Sequence, residues 1–559
     1  MSQANIAVLR QGALDAEKAG RPEEAAALFD RALEESPKDA ALWNSAAGSA
    51  LRMSDGERAV TMFRMALTLD PRSLECAINL GIALRKVGRP REAIEELAKY
   101  EDEAVNDARY WSVRGAAERD VGKLAAAARS YDHCLALKAD HKQALQGRAR
   151  VALERGEANA RERFERALQA QKGDAQAWLG FAQALDVSGQ PQEALKIATQ
   201  LAEQAPQWTD GLDFLAQMRI ATGQGGDFAS GYAAAVKRVP QDKAVRFAWA
   251  RSLAGVDRYA DAADVAARAA RDFADEPGFR LLEAIHAGEA GDDERAERIF
   301  AALDLQSEDR LLHEARHRLR RHEADRAEEL LARALADDPF SVAGWALRSI
   351  AWRMLGDPRN EWLNGQEGLV QLLPLPLDED TFEAARKSLH GLHDRSALPI
   401  GQSVRGGTQT RGRIFSRTEP EFLALGRAVA EALETYRSGL PPLDETHPLL
   451  RLRDAPLHFA GSWSVRLVSN GHHTGHVHPR GVLSSALYME LPEGLGAGDR
   501  DGWLELGRPP ADLRLDMPPM RIVEPKRAHL ALFPSSLYHG TRPFEGGCRM
   551  TVAFDVVSD

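Results

Sequence analysis

The sequence predicts two architectures in series: an all-α solenoid of repeated helix pairs, then a double-stranded β-helix, or jelly-roll, domain. Three observations lead there. A 34-residue self-similarity runs through the first two thirds of the chain. Residues 401–559 switch to two-residue alternation between turns rich in Gly and Pro. That second region also carries His476-Val477-His478, then His539, with Arg549 ten residues further on.

The repeat is clearest at the start, where residues 6–39, 40–73, 74–107 and 108–141 align without gaps. A small residue recurs at position 20 of each copy (Ala25, Ala59, Ala93, Ala127), and a large one at position 24 (Phe29, Phe63, Leu97, Tyr131). Pro37 and Pro71 end the first two copies, and Trp43 and Trp111 open the second and fourth. Two amphipathic helices that cross through small residues, with an aromatic filling the groove and Pro stopping the second helix, account for this pattern. Later copies are looser, but Trp178, Ala194, Pro206, Ala260, Ala263 and Trp345 keep the frame, for roughly ten repeats. The tryptophans are expected as packing knobs rather than ligand contacts.

These positions resemble the tetratricopeptide repeat. The resemblance implies a surface that binds a protein or peptide partner. The alternative is an array that only dimerises or positions the C-terminal region.

Near residue 374 the texture changes. Two prolines in LLPLPLDED break the helical period, and a last helical stretch, 380–394, leads to Pro399. The expected division is therefore a solenoid at 1–376, a helical linker at 377–400 and the jelly roll at 401–559. Period-2 runs at 462–468, 482–491 and 549–557, with shorter ones at 503–506, 520–523 and 530–533, read as strands. One helix, 420–436, interrupts them. Short strands with one or two leading helices suit a jelly roll better than an α/β sheet.

Composition excludes several classes. The 559 residues are too many for one core, and 44% apolar with 28% charged residues is an ordinary globular balance. A net charge of -11 argues against nucleic acid as a partner. Cys76, Cys134 and Cys548 have no disulfide-framework or metal spacing, which fits a reducing cytoplasm. The N-terminus lacks a signal-peptide pattern, and no apolar run is long enough for a membrane span.

The chemistry is expected at the histidines. On a strand, residues two apart face one side, so His476 and His478 can point at one centre. His539, at the end of the strand in LALFPSSLYH, can add a third nitrogen. Three protein ligands on one face leave the opposite positions free for O2 and a bidentate cosubstrate, the logic of non-haem iron sites.

GHHTGHVHPRGVLSSALYMELP, DGWLELGRP and LALFPSSLYHGTRPFEGGCRMTVAFD resemble the 2-oxoglutarate- and Fe(II)-dependent oxygenases, specifically a bacterial family preceded by tetratricopeptide repeats. The resemblance implies Fe(II) and 2-oxoglutarate, hydroxylation of a protein or peptide side chain, and metal ligation by His476, His478 and His539. It assigns Arg549 to the distal carboxylate of 2-oxoglutarate, with Thr551, Tyr488 and Ser484 as further cosubstrate contacts. Where the superfamily places a carboxylate, this chain has His478. Three readings stay open: His478 ligates, or it leaves that position to water as in aspartyl/asparaginyl hydroxylases, or the site is defective. For substrate, Arg405, Gln409 and His473 are the candidates. Arg405, Arg411, Arg413 and Arg417 make residues 402–417 locally basic, as a lid or as a solvated loop. Two other functions compete: a non-catalytic interaction scaffold, and a three-histidine dioxygenase that does not use 2-oxoglutarate.

Overall fold

The computed structural model describes residues 3–396, 400–493, 495 and 500–558. The chain forms two compact units, Met1–Gly180 and Phe181–Asp559. Pro399, expected to close the linker, lies outside the described residues.

In the first unit, helix pairs such as Ala40–Arg52 with Gly56–Leu69, and Ala108–Asp120 with Leu124–Leu137, pack as antiparallel hairpins. Their starts are set locally. Asp39, Asp55, Ser73 and Asp107 each accept a backbone N–H three residues ahead, as N-caps do. Ala25, Ala59, Ala93 and Ala127 are completely buried where the helices cross, so any larger side chain would force them apart. The indole N–H groups of Trp43 and Trp111 donate to the Pro37 and Val105 carbonyls, pinning the preceding loop of each. Each tryptophan therefore braces its own repeat.

The second unit begins with the later helix pairs and ends in two antiparallel sheets. Strands are β1 (Gln371–Pro374), β2 (Val404–Gln409), β3 (Leu457–His473), β4 (Leu483–Glu490), β5 (Leu504–Leu506), β6 (Arg521–Val523), β7 (His529–Pro534), β8 (His539–Thr541) and β9 (Arg549–Ser558). The large sheet has the order β1-β7-β4-β9-β3-β2, and the small one β6-β5-β8. This is the expected jelly-roll domain. It starts earlier than the sequence suggests, because β1 falls within the stretch assigned to the solenoid. Pro374 fits there since β1 is an edge strand, where a missing N–H costs no ladder bond.

Alternation along β9 divides the domain. Met550, Val552, Phe554 and Val556 face a core with Phe382 and Leu389 of helix Glu379–His393 and Phe422, Val429 and Tyr436 of helix Pro420–Ser438. Burying each large apolar side chain there contributes about 2 kcal/mol. The other face of β9 turns Arg549, Thr551, Ala553 and Asp555 to the interior between the sheets. There Tyr488, Ala531 and Phe533 of the large sheet meet Leu504 and Leu506 of the small one.

Helix Glu379–His393 is tied to the large sheet by its last residue. The buried His393 contacts Thr408 Oγ1 through Nδ1 and Ser464 Oγ through Nε2, each at 2.9 Å. Ser464 donates to the Thr551 carbonyl, so it accepts from the His393 Nε2–H. Burial, then the Arg466 and His390 charges, pull the His393 pKa down to about 3, with Asp394 opposing. The unfolded value is about 6.5. Between these pH values the unfolded chain carries the proton and the folded one does not, so stability falls as pH falls, by at most about 1.4 kcal/mol per unit. Urea midpoints from pH 7 to 4 should decline less steeply in His393→Gln than in the parent; equal slopes would remove His393 as a cause.

Candidate metal centre

Two of the three histidines are joined through their backbones. His476 and His539 exchange both N–H···O bonds, each 3.0 Å, as an isolated antiparallel bridge. The chain breaks after β7 at Pro534, turns, and re-enters as β8, so His539 opens a strand rather than ending one. His478 comes two residues after His476, outside regular strand, and its Nε2 is 3.1 Å from His476 Nε2. The ligand atoms of all three rings lie within 4.8 Å of one another.

Each ring is oriented through its other nitrogen. Nδ1 of His476 donates to the Thr474 carbonyl at 2.8 Å, and Nδ1 of His539 to the Leu537 carbonyl at 3.1 Å. Nδ1 of His478 contacts the Asp555 carboxylate. A carbonyl can only accept, so Nδ1 carries the proton and the Nε2 lone pair faces the centre. Burial and mutual repulsion hold His476 at about 3 and push His539 well below the ordinary imidazole value. His476 and His539 are therefore neutral donors at physiological pH. An all-imidazole set suits iron, zinc or copper, and the residues present fit a divalent metal.

Beside them is a cavity of about 490 Å³. Trp463 and Phe533 flank the donors, with ring centres 5.7 Å from His478 and 4.9 Å from His539. Arg549 and Thr551 line the cavity from β9. Arg549 is 2% exposed, its Nε has no hydrogen-bond partner, and among the described residues no carboxylate pairs with it. Its guanidinium sits 5.3 Å from the Tyr488 ring, whose hydroxyl is also unpartnered. A buried cation without a counter-ion is costly, and a ligand carboxylate would satisfy it.

The remaining expected residues divide between the cavity and its surroundings. Ser484 is buried with its hydroxyl 3.0 Å from Ser535, away from the cavity lining. His473 and Gln409 line the cavity; Ser403 Oγ lies 3.1 Å from His473 Nδ1 and 3.2 Å from His476 Nε2. Arg405 also lines it, but its guanidinium is held by Asp257 of the repeat array at 2.7 Å. Asp555, which contacts His478, and Trp463 line the cavity without being singled out by the sequence, although both sit on alternating runs. Ala254, Gly255, Asp257 and Tyr259 of the array complete the cavity wall, and local sequence carries no sign of that role.

Residues 461–555 match the family described as "Putative 2OG-Fe(II) oxygenase", and residues 10–73 and 69–210 match two tetratricopeptide repeat families. No curated protein matches the chain. Among solved structures, PilW, titled a widely conserved type IV pilus biogenesis factor, is 21% identical over 37% of this chain and 96% of its own, with a TM-score of 0.34. PilF of Pseudomonas aeruginosa is 22% identical over 38% and 98%, with a TM-score of 0.34. MamA of Desulfovibrio magneticus RS-1 is 19% identical over 31% and 98%, with a TM-score of 0.29. Among the described residues no helix is long and apolar enough to cross a membrane.

Proposed function

We propose that this chain is a 2-oxoglutarate- and Fe(II)-dependent dioxygenase that hydroxylates a protein or peptide side chain brought to it by the repeat array. One observation carries the reading: the buried, unpaired Arg549 beside three converging imidazoles. The donor set is compatible with this assignment, since metal ligation takes deprotonated Nε2 atoms, and a ligand carboxylate would supply the counter-ion that Arg549 lacks. Working in a reducing cytoplasm fits the free thiols of Cys76, Cys134 and Cys548.

Iron with 2-oxoglutarate supplies the activation of O2 and the oxidising power to insert oxygen into a C–H bond, with succinate and CO2 as co-products. The chain's residues bind, orient and shield. Arg549 would take the distal carboxylate through its two-pronged donor face, with Thr551 adding a hydroxyl from the same side of β9. The Tyr488 ring supports the guanidinium by a cation–π contact. Trp463 and Phe533 keep water from the donors, and Asp555 holds the Nδ1 proton of His478.

The test is succinate formation by purified protein supplied with Fe(II), 2-oxoglutarate and O2, with and without peptide. Metal-dependent succinate is expected, and its absence under every peptide condition would reject the reading. The all-histidine donor set favours one alternative, a dioxygenase that does not use 2-oxoglutarate; it would consume O2 with substrate and make no succinate.

A further inference from the structure

A second cavity, of about 350 Å³, shares Gln409 and Trp463 with the first. Its lining includes Thr410 and Arg413 from the segment after β2, Gly461 of β3, and Gln217 of the array. Trp463 thus separates a chamber at the metal ligands from one further along the edge strand β2. Each chamber is of ligand size, and an extended chain advances about 3.3 Å per residue. A peptide running past Trp463 would have one residue at the donors and its neighbours in the second chamber.

The charges select among peptides. In this segment Arg405 is paired with Asp257, Arg411 with Asp186 and Arg417 with Glu419. The side chains of Arg413, lining the second chamber, and Arg480, lining the first, make no ion pair or hydrogen bond among the described residues. The acidic groups of the first chamber, Asp257 and Asp555, are already engaged with Arg405 and His478.

The array side of the path is anchored to it. Gly223 and Gly291, each 34 residues from position 257, have the positive φ that the inter-helix turn requires. Position 257 is Asp instead, at φ 61°, a left-handed conformation that Asp tolerates better than most residues and that Ser54 and His322 also adopt at other turns of the array. Its carboxylate grips Arg405, while the Gly255 carbonyl accepts the Gly401 N–H at 2.9 Å. This turn is therefore fastened to the start of β2 and lines the chamber with the metal ligands.

We propose that the substrate is an extended acidic peptide lying between the repeat array and β2, its acidic side chains paired with Arg413 and Arg480. The inference rests on the oxygenase reading for what happens to the peptide, but binding can be measured without turnover. The probe is a pool of fluorescent seven-residue peptides with Glu at alternate fixed positions and random residues between, against the same pool with Gln. Both are titrated into metal-free full-length protein, whose melting temperature monitors folding. The Glu pool should bind, with affinity that falls as salt rises. Arg413→Gln and Arg480→Gln should each weaken it about fivefold, the scale of a partly exposed ion pair. Equal binding of the two pools, no binding of either, or unchanged affinity in the folded double variant would overturn the proposal. Acidic peptide binding without succinate formation would instead reject the oxygenase reading and keep the peptide site.

Discussion

Arg549→Met should abolish 2-oxoglutarate turnover while leaving the cosubstrate-free protein as stable as the parent, or more so. The argument has two halves. Two charge-assisted hydrogen bonds to a carboxylate contribute about 1.5–3 kcal/mol each. Their loss should raise the KM for 2-oxoglutarate by roughly 10²–10⁴-fold. Arg549 is also buried without a counter-ion, and replacing a buried charge by an apolar residue of similar length is often neutral or stabilising by about 1–4 kcal/mol. A residue kept for packing would show the opposite pattern, with lowered melting temperature and unchanged affinity. The paired measurement is succinate kinetics and thermal unfolding. Addition of 2-oxoglutarate with metal should raise the melting temperature of the parent and not that of the variant.

The second large effect concerns the metal. His539→Ala removes a donor outright and should prevent stoichiometric binding of Fe(II), or of Co(II) used as an optical probe under anaerobic conditions. Asp555→Ala leaves all three rings but frees His478 to rotate, and loss of such an orienting partner costs about 10- to 100-fold in metal affinity. The Asp555 variant separates the readings of His478. A loss of that size means His478 is a ligand. Unchanged affinity means that the coordination position belongs to water, and absence of binding in the parent means that the site is defective.

Much of this is legible in the chain. The 34-residue frame locates the helix pairs because each repeat must bury the same small and large residues against its neighbour, whatever the rest of the sequence does. Alternation along β9 places Arg549 and Thr551 on one face; carried two steps further it reaches Ala553 and Asp555, the partner of His478. Reading the strand only as far as Thr551 misses that partner. β1 escapes the sequence for a different reason: two prolines break the helical period, and an edge strand of four residues leaves no alternation long enough to detect. The wall formed by Asp257 and Tyr259 is beyond any local pattern. Arg405 meets Asp257 from 148 positions away, and nothing near either residue specifies the meeting.

The pairing of β1 with β7 also bears on how the molecule is made. Gln371 faces Leu532, so the first strand of the sheet leaves the ribosome roughly 160 residues before its partner. At bacterial and eukaryotic elongation rates that interval is roughly 10–30 s. During it the preceding helices can already be folded, while a bare strand edge awaits closure and is open to mispairing with other chains. The same pairing means that a C-terminal fragment cut at residue 401 would lack β1 and the helix ending at His393. It would expose the side of β7 that β1 covers, and would be prone to aggregate.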